Sequence, residues 1–195
     1  MRNSEAIRRY PTAVAVLHWA IAVAVVGLVV LGWWMQEIPK QPPGARADAY
    51  NLHKSIGLAT LLLMAARLAW RATHRAPELP PLPPWQKRAA LAVHYLLYAT
   101  MFVVAFSGYL GSATSGYPVK FFGWVLPAWA GANAGVKDAC SVAHLVTSWM
   151  LMVAIGIHVA ATFYHEWVLR DRVLWRMWPW AAPTPDRRVQ ARSSG

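Results

Sequence analysis

The sequence predicts an all-α integral membrane protein, a four-helix bundle, and three observations carry that prediction. Hydrophobic residues make up 57% of the 195 and charged residues only 14%, where a soluble domain carries about 25% charged residues. Three stretches, 10–36, 89–119 and 139–165, contain no Asp, Glu, Lys or Arg, and each exceeds the roughly 20 residues needed to cross the hydrocarbon of a bilayer. Twelve tryptophans suit a membrane interface, where the ring is apolar and its N–H stays wet.

The first apolar stretch gives a helix at about 12–36. The second, 55–66, is too short alone, and becomes long enough as a helix over about 48–71 whose Arg67 lies near one end and can snorkel. The third and fourth give helices at about 89–112 and 138–168. Pro39, Pro42, Pro43 and Gly44 break the first connection, and five prolines within 76–84 keep the second extended or turned. The Gly-, Pro- and Trp-rich segment 117–136 reads as a short amphipathic piece on the membrane surface. Residues 10–180 form one transmembrane domain, and 181–195 a basic cytoplasmic tail expected to be disordered. No internal repeat is present.

The net charge of +11 does not indicate nucleic-acid binding, because the basic residues flank the apolar runs instead of forming a stripe interleaved with aromatics. Fourteen Lys and Arg fall on the side holding both termini and the second connection, against five (Lys40, Arg46, Lys54, Lys120, Lys137) on the other. The positive-inside rule then places both termini in the cytoplasm. The single cysteine, Cys140, permits no intramolecular disulfide, and no CxxCH is present for covalent haem attachment. No cleavable signal peptide is expected, since the first apolar run is too long and lacks a small-residue cleavage site.

Five histidines, His18, His53, His94, His144 and His158, fall inside the predicted helices, where ionisable groups are costly and point to function. His144 and His158 are 14 residues apart, nearly four turns, so they share one face about 21 Å apart along the axis. Depth matching supplies their partners. His53 and His144 each lie a few residues inside the outer surface, and His18 and His158 each lie about nine or ten residues from the inner one. The same spacing of 14 brings Gly32 after His18 and Gly108 after His94 to the outer level, with Gly57 one turn from His53. These glycines serve either close helix packing or clearance for a pocket. Two histidines per level leave a zinc site incomplete. Haem brings four equatorial nitrogens and needs only axial ligands, and bundle cores commonly hold such groups. The reading is two haem b groups stacked across the membrane, with His18, His53, His144 and His158 as iron ligands. Saturated iron favours electron transfer over oxygen activation.

Leu17-His18-Trp19, His53-Lys54-Ser55-Ile56-Gly57 with Arg67, His94 opening the third helix, His144 and His158 on the fourth, and Arg176-Met177-Trp178-Pro179 resemble the bacterial cytochrome b561 family over about 10–180. The resemblance implies the same ligand pairs. It also implies a membrane quinone, taken as ubiquinone, as substrate. The chain's length and the lack of a fused domain look most like the stand-alone branch sometimes called superoxide oxidase, which implies superoxide or another small periplasmic donor. The alternative is a membrane anchor and electron conduit for a dehydrogenase or hydrogenase, with a partner redox subunit. Arg67 at the inner haem depth, and Lys54 and Ser55 at the outer one, are candidates for haem propionates; for Arg67, snorkelling to lipid phosphate is the alternative. His94 is read as a quinone-site or neighbouring residue, a ligand, or a packing residue. His165, seven residues after His158, is either a donor to a quinone carbonyl or an interfacial histidine beside Glu166.

Overall fold

The computed structural model describes residues 9–42, 44–74, 77 and 82–180. Four long helices, α1 (Thr12–Glu37), α2 (Ala45–Thr73), α3 (Pro84–Ala113) and α4 (Ala134–Phe163), make up nearly all of it. All four are long and apolar enough to span a membrane, and the molecule is a multi-pass membrane four-helix bundle. Their outward faces carry apolar side chains with little cover, such as Val23, Leu62, Val103 and Val153, as lipid contact requires.

Helix ends differ from the sequence expectation where local chemistry extends them. α3 begins at Pro84, five residues before the predicted start, because proline at the first helical position loses no hydrogen bond. α4 begins at Ala134, where Asn133 Oδ1 accepts from the Val136 N–H at 3.0 Å as an N-cap. α2 begins at Ala45 behind Gly44, whose φ of +129° favours glycine. Beyond Phe163 the fourth helix widens into a π-helical segment, Tyr164–Leu169, and a short helix α5 (Val173–Arg176) follows.

The loop before α4 is also different. The segment read as a short amphipathic piece holds a two-stranded hairpin, β1 (Lys120–Phe121) with β2 (Trp124–Val125), paired Phe121 to Trp124. Phe122 and Gly123 have φ of +47° and +93°, the double positive φ that a two-residue hairpin turn demands. Ser55 ties this hairpin to α2: its hydroxyl accepts from the Phe122 N–H at 2.9 Å and donates to the Asn51 carbonyl at 2.7 Å.

At the opposite end, which carries the start of α1 and the close of α4, the segment after α4 crosses beneath the bundle. The Tyr10 N–H donates to the Arg176 carbonyl (3.1 Å), Trp19 Nε1 donates to the Met177 carbonyl (2.8 Å), and Arg176 Nη2 donates to the Pro77 carbonyl (3.1 Å). The tail 181–195 lies outside the described residues.

α1 packs closely on α2 and α3 on α4, whereas α4 makes no close backbone approach to α1 or α2 among the described residues. The bundle is two tight helical hairpins with a slot between them. Ile21, Val25, Met64 and Leu151 form the buried core. Val25 lies midway between His18 and Gly32, and Leu151 midway between His144 and His158, so an apolar layer separates two polar levels.

Candidate functional site

Histidine pairs bridge the slot at both levels. At the hairpin end, the rings of His53 on α2 and His144 on α4 have centroids 6.3 Å apart at an interplanar angle of 70°. At the terminal end, His18 on α1 and His158 on α4 repeat this at 6.3 Å and 73°. A metal–imidazole bond of about 2 Å on either side, with the ring radius added, sets two opposed imidazoles about 6 Å apart, centre to centre. Both gaps therefore suit one metal ion held between the two rings.

The surroundings of the hairpin-end pair fit that use. His144 Nδ1 donates to the Val104 carbonyl at 2.7 Å, which fixes the tautomer and leaves Nε2 with the lone pair a metal needs. A Cβ at Gly108 would lie 2.9 Å from His144 Nδ1, so glycine is what lets the ring lie against α3; at Gly32 a Cβ would meet His53 Cε1 at 3.4 Å. Both glycines stand where the spacing of 14 put them. Gly57 has nothing within 4 Å of the corresponding point, so open space, not helix packing, lies beside it. His53 Nδ1 is buried with no hydrogen-bond partner among the described residues. Lys54 is half-buried next to it, and Ser55 is engaged by the hairpin.

The terminal-end level is richer. Arg67 Nη1 lies 2.9 Å from His18 Nδ1; a guanidinium only donates, so Nδ1 accepts. His94 donates from Nδ1 to the Ala90 carbonyl at 2.6 Å, and its ring lies 5.4 Å from that of His158. Arg67 also lines a small open cleft with Tyr10, Arg71 and Tyr98. His165 Nδ1 contacts Asp171 Oδ2 at 2.6 Å, and His74 stacks on Trp70 in the exposed loop. No cluster of three or more His, Cys, Asp or Glu among the described residues is arranged to hold a metal ion.

A profile of the prokaryotic cytochrome b561 family matches residues 9–180. The chain belongs to the prokaryotic cytochrome b561 family. It is thus a haem-binding, membrane-bound electron-transport protein of the b561 type. Among its relatives, cytochrome b561 homolog 2 of Escherichia coli strain K12 is 34% identical over 172 residues, 87% of this chain and 90% of that protein. Cytochrome b561 homolog 1 of the same organism is 26% identical over 182 residues, 89% and 98% of the two chains. A probable superoxide oxidase, CybB, of Yersinia pestis is 27% identical over 165 residues, 84% and 92% of the two chains.

Sequence reasoning named the histidines of this b561 cytochrome, and Arg67 at the level of His18, but missed the partners of His144 and His165. The Val104 carbonyl carries no side-chain signal. Asp171 follows His165 by six residues, a spacing that a regular helix would not bring together, and only the π-helical turn and the reversal after it do so.

Proposed function

We propose that this b561 cytochrome holds two haem b groups, one between His53 and His144 and one between His18 and His158, and passes electrons from superoxide outside the cytoplasm to ubiquinone at the cytoplasmic end. The observation that carries the reading is the equal 6.3 Å separation of two histidine pairs at two levels of one slot. When bound, each haem would supply an iron that takes up and returns one electron.

The residues of the chain set the conditions for this. Were His18 to hold haem iron through Nε2, its ring proton would sit on Nδ1, and Arg67 would turn from that atom to an anionic partner. A haem propionate beside the Arg67 cleft is suited to that place. Lys54 takes the equivalent place beside His53; Ser55, already occupied by Phe122 and Asn51, serves to hold the hairpin over the hairpin-end level. The layer of Val25, Met64 and Leu151 keeps water out between the levels, which lie about 21 Å apart along α4.

Superoxide is a small anion, and five cations against three acids mark the hairpin end. Of these, Lys137 pairs with Asp138 at 3.1 Å, while Arg46 lies over the Tyr50 ring and bonds the Ile38 carbonyl. Lys40 and Lys120 remain to attract the anion, with Lys54 behind them at the haem edge. The likeness to a probable superoxide oxidase supports this donor. Ubiquinone arrives through lipid and needs donors in an apolar wall; His94, His165 and Arg67 at the terminal end offer them.

The test is a reduced-minus-oxidised spectrum with a haem-to-protein ratio on the purified protein, followed by rapid mixing with superoxide and then with ubiquinone. Two haems per chain, reduced by superoxide and reoxidised by ubiquinone, are expected. One haem per chain, or reduction by superoxide no faster than by a neutral one-electron donor, overturns the reading.

A further inference from the structure

The reaction proposed above consumes protons as well as electrons. Two superoxide anions each give up one electron and become dioxygen; one quinone takes both electrons and two protons and becomes the quinol. Those protons must reach the terminal-end level, and the described residues place one acid–base pair there outside the haem ligands and their neighbours.

His165 sits in the π-helical segment, two turns beyond His158, with Nδ1 2.6 Å from Asp171 Oδ2. Both side chains are more than four-fifths buried. The backbone is shaped to make this contact. Asp171 is flanked by Arg170 and Arg172, both non-glycine residues with φ near +55° and +58°, a conformation that costs energy and is retained where the fold demands it. The Arg170 and Asp171 N–H groups both donate to the His165 carbonyl, folding the aspartate back over the turn that bears the histidine. The widened turn itself is a feature found frequently at functional sites. Asp171 Oδ1 is buried with no partner among the described residues, so the carboxylate is not consumed by the fold around it.

We propose that His165 and Asp171 form the proton-delivery dyad for the quinone at the terminal end, an inference that rests on the quinone reading above. Asp171 is the positioning residue. Its carboxylate holds the proton of His165 on Nδ1 and fixes the ring, leaving Nε2 to exchange with a second partner, as a carboxylate does for a histidine in other acid–base sites. Nε2 accepts a proton from water on the cytoplasmic side and gives it to a quinone oxygen as that oxygen gains electron density. The carboxylate balances the ring's charge while both nitrogens are protonated, and the cycle runs once for each of the two protons. The other titratable or charged groups on the elements packed around the dyad are Tyr164, Glu166, His158, Arg170, Arg172 and Arg176. Of these, Glu166 is committed through Oε1 to Trp175 Nε1.

The experiment uses the full-length, haem-loaded protein in lipid nanodiscs, reduced and then mixed with a short-chain ubiquinone or with ferricyanide, an acceptor that takes no proton. Asp171→Asn and His165→Gln should retain the haem spectrum and the ferricyanide rate, yet be reoxidised by ubiquinone at least about tenfold more slowly. Both should lose the wild-type solvent-deuterium effect on ubiquinone reduction. The double variant should be no slower than either single one, and Asp171→Glu should recover part of the rate. Unchanged ubiquinone kinetics in Asp171→Asn, or equal slowing with ferricyanide, overturns the dyad and leaves a structural clasp. A wild-type protein oxidised by ferricyanide but not by ubiquinone sinks the quinone reading, and the dyad with it.

Discussion

Three of the five histidines at the two levels are hydrogen-bonded through Nδ1: His144 and His94 each donate to a backbone carbonyl, and His18 accepts from the Arg67 guanidinium. The other two, His53 and His158, face His144 and His18 across the slot. Alanine at His53 or His144 should therefore remove the hairpin-end haem and leave the other, and alanine at His18 or His158 the reverse. The haem-to-protein ratio falls by half in each case; retention of both haems in His18→Ala with loss of one in His94→Ala would reassign the terminal-end ligand. A subtler probe is Gly108→Ala. Its Cβ would sit 2.9 Å from His144 Nδ1, so the ring or α3 must shift, an overpacking worth about 1–3 kcal/mol. The absorption band of the hairpin-end haem should move or weaken while the terminal-end band stays. Gly27→Ala, with nothing within 4 Å, should leave both bands unchanged, and a shift there would detach the Gly108 result from contact with His144.

Two small elements that periodicity does not announce close the two ends of the bundle. The hairpin is pinned by Ser55, and Ser55→Ala leaves the Phe122 N–H without its acceptor, a loss of roughly 1–3 kcal/mol. Limited proteolysis within 117–131 should become faster in that variant, with both haems retained; an unchanged digestion pattern would mean the hairpin is held by its other contacts. The strap after α4 is pinned by Arg176, 6% exposed and bonded to the Pro77 carbonyl, with its guanidinium 5.8 Å from the Tyr10 ring centre. Arg176→Ala should cost more than Trp19→Phe, about 1.5–3 against about 1 kcal/mol, because a charged donor is lost in place of a neutral one. Thermal unfolding in detergent, compared between the two variants, checks the order.

At the scale of the molecule, charge and topology decide direction. A reporter joined after Gly195 should be active only in the cytoplasm, from the 14 to five division of Lys and Arg; activity on the far side would exchange the two ends and place the hairpin inside. Haem reduction by superoxide should slow with added salt, since attraction of an anion by surface cations is screened within about 8–10 Å at ordinary ionic strength. Insensitivity to salt would remove Lys40, Lys54 and Lys120 from the donor site.

The sequence by itself determined three spans outright, because a bilayer demands about 20 apolar residues per crossing, and the fourth, 48–71, once Arg67 near one end is allowed to snorkel. It also determined the two levels, because an α-helix fixes the rise per residue, and a spacing of 14 recurs from His18 to Gly32, His53 to Arg67, His94 to Gly108 and His144 to His158. Only the tertiary structure decided how wide the slot between the helical hairpins is, which carbonyl sets the tautomer of His144, and that Ser55 holds a hairpin. It alone brought Asp171 back to His165. These depend on non-local contacts, on backbone groups without side-chain identity, and on left-handed residues after a π-turn, none of which leaves a period in the sequence.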